Sequence, residues 1–172
     1  MRRVVTRGSG PTLLASDLVQ SLFLTEILTP SRELWLLSPW ISDIPVIDNS
    51  SGAFSVLMPS RPIGSITLTD TLVYLAGQGT QIFVIVRPDA RNHLVVDRLR
   101  HAVFDDGSPA IQVVINDNLH EKALLTDRFF LHGSMNFTHY GREVNEEALT
   151  LDNAGESIAA ARLDYRERFG TP

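Results

Sequence analysis

Leu119-His120-Glu121-Lys122-Ala123-Leu124-Leu125-Thr126-Asp127, followed by Gly133-Ser134-Met135-Asn136-Phe137-Thr138, is the stretch on which the reading of this chain turns. It sets polar side chains at fixed intervals in apolar surroundings. In an extended strand, residues i and i+2 point to the same face, so His120 and Lys122 project together while Glu121 points away. Lys122 to Thr126 and Arg128 to Leu131 flank Asp127, which predicts a tight hairpin with Asp127 at its turn. Ser134 and Asn136 share a face by the same spacing. Asn145-Glu146-Glu147 leads into a further predicted strand, Glu147 to Leu151, so a carboxylate stands at a strand start.

Working outward, Gln81 to Val86 is a β-branched run closed by Arg87-Pro88, and Ile111 to Ile115 is a second such run; both predict buried strands. Glu33 to Leu37, bounded by Ser-Pro, predicts a third. Pro11 to Leu28 reads as an amphipathic helix with Leu14, Leu18 and Leu22 on one stripe, widened by Leu13, Phe23 and Ile27. Further helices are predicted over Ile66 to Ala76, Asn92 to Phe104 and Gly155 to Phe169. Residues 43–62 are rich in Ser, Pro, Gly and Asn and are expected to form a long loop. Strands alternating with helices early, then adjacent strands late, predict an α/β fold: a mixed β-sheet flanked by helices on both faces, in a single domain over residues 1–172.

The chain has 172 residues, 44% of them hydrophobic, enough for one domain with its own core. No apolar run is long enough to span a bilayer, and the basic start Met1-Arg2-Arg3 leads into no signal-peptide apolar block, so cytoplasmic residence is expected. Cysteine is absent, which excludes a disulfide frame and thiolate metal sites. The formal net charge of −5 argues against broad, non-specific coating of nucleic acid, because that affinity comes from Lys and Arg releasing counterions. A local basic cleft remains compatible with it.

The polar residues of the opening stretch suit phosphoryl transfer. An imidazole can attack or carry a proton, a fixed cation and amide can neutralise non-bridging oxygens, and a carboxylate can set the imidazole tautomer. Each residue also has a plainer reading. A histidine near a strand end is more often structural or exposed than catalytic. Asp-Arg at a hairpin is ordinary turn chemistry, Gly-Ser-x-Asn can be a plain turn, and Glu-Glu can be a solvated edge. Their joint occurrence, in order and at fixed spacing, favours the chemical reading.

His-x-Lys-x-x-x-x-Asp followed by Gly-Ser-x-Asn resembles the signature of the phospholipase D superfamily, with His120, Lys122, Asp127, Ser134 and Asn136 at the motif positions. Glu147 looks like that family's later acidic residue, which orients the histidine; Glu146 is the alternative. Glu33 to Ser42 is similar to the first-strand segment of bacterial members, and with the helix and strand order the resemblance covers most of the chain. One departure stands out: five residues separate Asp127 from Gly133, where the usual pattern holds six, which shortens the hairpin.

The resemblance implies a phospholipase D-like fold and a phosphodiesterase that needs no cofactor and no metal. One histidine attacks phosphorus to form a phosphohistidine; a second protonates the leaving oxygen and then activates water. This chain carries one motif, since no other histidine has a lysine two positions on. The expected solution is a C₂ homodimer in which two copies of His120 and Lys122 meet, and two facing imidazoles should titrate as a coupled pair. The expected substrate is a phosphodiester, DNA in the first instance, because small single-motif bacterial members are often nucleases. Arg128, His132, His139 and Arg142 cluster around the motif in sequence and are candidates for phosphate contacts. A lipid substrate is the alternative, favoured by the apolar residues Ile47, Phe54, Val56, Leu57 and Met58. Ser38 to Asp43, Gly133 to Thr138 and Asn145-Glu146-Glu147 together also resemble phospholipase D-like components of bacterial DNA-modification and phage-defence clusters, in particular those accompanying 7-deazaguanine modification. That would bring protein partners. A weakly active dimeric binding or assembly module is the third reading.

Overall fold

The computed structural model describes residues 2–5, 9–59, 63–138 and 148–170. In chain order these form β1 (Arg2–Val5), α1 (Ser9–Leu28), β2 (Glu33–Leu37), β3 (Pro45–Asn49), β4 (Gly64–Thr67), α2 (Leu68–Gly77), β5 (Gln81–Val86), α3 (His93–Arg100), β6 (Ile111–Ile115), β7 (Ala123–Leu125), β8 (Phe130–Gly133), β9 (Ala148–Asp152) and α4 (Gly155–Phe169).

β2 is buried along its whole length and lies inside the main sheet, paired parallel to β5 and antiparallel to β7. The seven-stranded order is β1-β9-β8-β7-β2-β5-β6. β2, β5 and β6 run parallel, and β7, β8, β9 and β1 continue by antiparallel pairing. Side chains alternate between faces, and the alternation sorts the core into two layers. Leu34, Leu36, Val84 and Leu124 join the α1, α2 and α3 side, with Phe23, Leu72 and Leu99. Trp35, Leu37, Phe83, Ala123 and Leu125 join the α4 side, with Ile158, Tyr165 and Phe169. The fold is thus α/β with helices on both faces. Trp35 is fully buried and stacks on Phe83 at 4.1 Å between centroids; truncating such a side chain to Ala costs about 3–5 kcal/mol.

The elements depart from the sequence expectation in several places. β1 was not expected, α3 ends at Arg100 rather than Phe104, and β6, expected to be buried, is the last strand of the sheet with Gln112 and Ile115 exposed. Residues 43–62, expected as a loop, contain β3, which pairs antiparallel with β4; Val46 and Ile47 are buried there, a short apolar pair that the surrounding Ser, Pro and Asn outweighed in the pattern. The helix expected from Ile66 starts at Leu68, because Thr67 caps it. The Thr67 hydroxyl accepts the Asp70 N–H while the Asp70 carboxylate accepts the Thr67 N–H, a reciprocal capping box. In α1 the buried stripe is Ala15, Val19, Leu22, Phe23, Glu26 and Ile27, and Leu18 is only half-buried. The buried Glu26 accepts the Ser31 N–H at 3.1 Å and pairs with Arg128 at 2.9 Å, a polar position no apolar periodicity indicates.

Candidate active site

Leu37 stands opposite both Ala123 and Ile85, and Ile85 opposite Val114. The carboxyl ends of β2, β5 and β6 therefore meet the amino end of β7 at one sheet edge, the place where open α/β sheets bind ligands. Hydrogen bonding extends one residue past the strands: Gly133 N–H donates to the Lys122 carbonyl at 3.2 Å and Ser38 N–H to the Ile85 carbonyl at 3.0 Å.

Two turns lock together at this edge. Ser38, fully buried, donates its hydroxyl to the Trp40 carbonyl at 2.6 Å and accepts the Phe137 N–H at 3.1 Å. The Phe137 carbonyl accepts the Ser42 N–H at 2.8 Å. Met135 and Phe137 are sunk into the core, so the alternate residues Ser134 and Asn136 stay toward the edge. Asn92, 1% exposed, ties the exits of β2 and β5 together: its Oδ1 accepts the Ile41 N–H at 2.8 Å and its Nδ2 donates to the Pro39 and Arg87 carbonyls at 2.9 and 2.8 Å. Gly133 is dictated by close approach, since a Cβ there would lie 1.9 Å from the Ala148 carbonyl oxygen. Ala148 is held by Ser134 in both directions, N–H to carbonyl and N–H to hydroxyl, each at 3.0 Å.

His120 and Lys122 sit just before β7. His120 is exposed, and its imidazole makes no hydrogen bond among the described residues. Lys122, the only lysine in the chain, is half-buried and donates its Nζ to the His120 carbonyl at 2.9 Å. The ammonium is thus held against the His120 backbone. Asn136 Oδ1 is buried with no hydrogen-bond partner among the described residues, which costs about 1–3 kcal/mol unless a donor arrives. Glu121 points to the opposite face, as its parity requires. There it accepts the Tyr165 hydroxyl and pairs with Arg168 at 2.9 Å. Burial first, then the Glu121 carboxylate, pushes the Tyr165 hydroxyl well above the usual phenol range.

The motif aspartate is elsewhere. Asp127 lies at the far end of β7, five residues beyond Lys122, roughly 16 Å away at ~3.3 Å per residue. Its Oδ2 accepts the Arg32 N–H at 2.8 Å and Arg32 Nε at 3.3 Å, and its Oδ1 accepts Arg162 Nη2 at 2.7 Å. Its own N–H donates to Ser31 Oγ at 3.1 Å. Burial pushes the carboxyl up, but the Arg32 N–H, the Arg162 charge and the Arg32 side chain outweigh it and hold the group below its ordinary range. Arg128, at the same turn, is occupied by buried Glu26 and by the Thr29 carbonyl. His132 pairs across from Ala123, on the α4 face, and stacks on Phe130 at 4.5 Å, so it faces away from Lys122. Glu147, Glu146, His139 and Arg142 lie outside the described residues.

The family model described as cardiolipin synthase, PLD-like domain, matches residues 44–167. The chain belongs to the phospholipase D-like family. Solved structures share its fold. NucT from Helicobacter pylori aligns over 96% of this chain and 92% of its own at 15% identity and a TM-score of 0.59. Nuc from Salmonella typhimurium, a phospholipase D family member, aligns over 97% and 91% at 11% identity and 0.63. Phosphatidylserine synthase from Haemophilus influenzae aligns over 96% of this chain and 37% of its own, at 13% identity and 0.54. Among curated proteins none is similar enough in sequence to match.

In this phospholipase D-like chain, the edge thus gathers His120, Lys122, Ser134 and Asn136. Asp127 and Arg128 belong to the opposite end of β7 and His132 to the opposite face. Sequence reasoning missed the supports: Ser38 and Asn92, both buried, and the Trp40, Asp89 and Arg91 group. Trp40 Nε1 donates to Asp89 at 3.0 Å, and Arg91 lies 4.6 Å from the Trp40 ring centroid. The Arg91 side chain first, then its N–H, hold the Asp89 carboxyl far below the usual carboxylate range. No local pattern distinguishes a clamping Asn92 from any helix-start Asn. The one usable signal was a Ser-Pro directly after a strand whose last four residues are all apolar.

Proposed function

We propose that this chain is a phosphodiesterase that cleaves DNA through a phosphohistidine, in a site completed by a second copy of itself. The observation that supports it is the composition of the edge: an exposed His120 two residues from the chain's only lysine, with Asn136 presenting a buried amide oxygen that has no hydrogen-bond partner among the described residues. A His120 nitrogen attacks phosphorus as the P–O bond to the leaving group breaks. The second copy's imidazole gives its proton to the leaving oxygen. That imidazole then takes a proton from water as water's oxygen attacks phosphorus and frees His120. Lys122 neutralises a non-bridging oxygen, Ser134 and Asn136 hold the phosphate, and Glu147 orients the imidazole. Asp127 is assigned to architecture, as the anchor that fixes the hairpin turn to Arg32 and Arg162.

The dimer follows from counting: one chain supplies one His-x-Lys pair and the two-histidine chemistry needs two. The placement within a DNA-modification and phage-defence system rests on motif resemblance alone; its test is co-purification of partner proteins with a tagged chain. The enzymatic test sets plasmid DNA beside a phosphatidylcholine analogue, with EDTA present. DNA cleavage that survives EDTA is expected, lost by about 10²–10⁴ in His120→Ala and about 10²–10³ in Lys122→Ala. Hydrolysis of the lipid alone would move the proposal to the phospholipid reading. Near-full activity in His120→Ala would remove the mechanism.

A further inference from the structure

Seven of the nine arginines with described side chains are paired to carboxylates: Arg32, Arg91, Arg98, Arg128, Arg162, Arg166 and Arg168. In a chain with 15 basic and 20 acidic residues that is the expected fate of an arginine. Arg87 and Arg100 are the exceptions. Among the described residues neither has a carboxylate partner; Arg87 donates only to the Asp117 carbonyl, at 3.2 Å, and the Arg100 guanidinium makes no hydrogen bond or ion pair. Both line one cleft of about 310 Å³, together with His93, Asp97, Asn92 and Ile115. Asp89 also borders it, but its charge is taken by Arg91 at 2.6 Å, which leaves Asp97 as the lining carboxylate without an ion-pair partner among the described residues, against two arginines.

The cleft lies on the same sheet edge as the candidate site. Arg87 follows Val86 directly, and β5 stands two strands from β7. At ~4.8 Å per strand, the strand end that carries Arg87 is roughly 10 Å from Lys122, farther than a single phosphodiester reaches and within reach of a neighbouring phosphate on a nucleic-acid backbone. A cationic cleft at that distance contributes nothing to a substrate with one phosphodiester. It contributes to a substrate that repeats its phosphates.

We propose that the cleft holding Arg87 and Arg100 is a second phosphate subsite, and that the substrate is a polynucleotide whose backbone runs from Lys122 across the ends of β2 and β5 into it. The proposal rests on the phosphodiesterase reading of the Lys122 edge and adds a second phosphate subsite and the path of the bound backbone.

Binding of a fluorescein-labelled oligodeoxynucleotide is measured by anisotropy across a salt series, in the full chain carrying His120→Ala to prevent cleavage. Adding Arg87→Ala and Arg100→Ala together should weaken binding about tenfold and reduce the slope of log affinity against log salt by about 0.7 per arginine for a single strand. The single variant Arg100→Glu, at a side chain without a hydrogen-bond or ion-pair partner among the described residues, should weaken binding with an unchanged thermal melt. With His120 intact, the same arginine changes should leave turnover of bis-p-nitrophenyl phosphate within about twofold, since that diester reaches only the Lys122 edge. Unchanged oligonucleotide affinity and slope in all variants would overturn the proposal, as would arginine-dependent binding confined to anionic lipid vesicles. If the unmodified chain hydrolyses no diester yet binds the oligonucleotide through these arginines, the subsite stands and the phosphodiesterase reading falls.

Discussion

Replacing Asp127 by Asn keeps the shape of the turn and removes its charge, and the structure says what that should do. The carboxylate accepts from the Arg32 N–H, Arg32 Nε and Arg162 Nη2. The Arg32 side chain is 86% exposed and its contribution is correspondingly small, on the order of 0–1 kcal/mol. Arg162 is 17% exposed, and a hydrogen bond to a charged group in such surroundings contributes about 1.5–3 kcal/mol. Asn retains an oxygen for one donor, so the loss is roughly 2–3 kcal/mol, which for a chain of this size lowers Tm by roughly 4–12 °C. Because Asp127 is held below its ordinary pKa in the folded chain, its contribution is present above the unfolded value near ~3.9. It is lost as pH falls through the lower folded value. The Asn variant should therefore lose less stability than the parent on acidification below about pH 4. Thermal melts at neutral and acid pH, paired with turnover of bis-p-nitrophenyl phosphate well below the melting range, read both effects. An unchanged Tm together with a loss of turnover of about 10² or more would refute the placement of Asp127 in the architecture.

Other substitutions probe the edge itself. Gly133→Ala should force β9 away, because the new Cβ would meet the Ala148 carbonyl at 1.9 Å; a cost of about 1–3 kcal/mol by chemical denaturation is expected, with turnover falling as Ser134 loses its hold on Ala148. Ser38→Ala leaves the buried Phe137 N–H without an acceptor, so it should destabilise by about 1–3 kcal/mol. It should also lower kcat more than it raises KM, since Asn136 is the neighbour of the released residue.

Three strands of the sheet were legible because they are rich in apolar and β-branched residues: Glu33–Leu37, Gln81–Val86 and Ile111–Ile115 form within the expected limits, though Ile111–Ile115 is only partly buried. Parity was legible too, since Glu121 turns to Tyr165 while Lys122 takes the other face. What could not be read locally was long-range. Thr67 needed its capping role to be weighed against the apolar Ile66. Val46 and Ile47 needed β4 as a partner to become a strand. Asp127 is a motif residue and Arg128 its neighbour, yet both are consumed by Glu26, Arg32 and Arg162, residues remote in the chain. His132, ten residues after Lys122, is carried to the opposite face by hairpin register alone.

The most direct test of the account is specific activity against oligomeric state, measured on one sample by light scattering and turnover across a dilution series. The two-copy site predicts a dimer of this 19.1 kDa chain as the active species, with activity per chain falling in step with dissociation. A monomer that retains full activity per chain would contradict it.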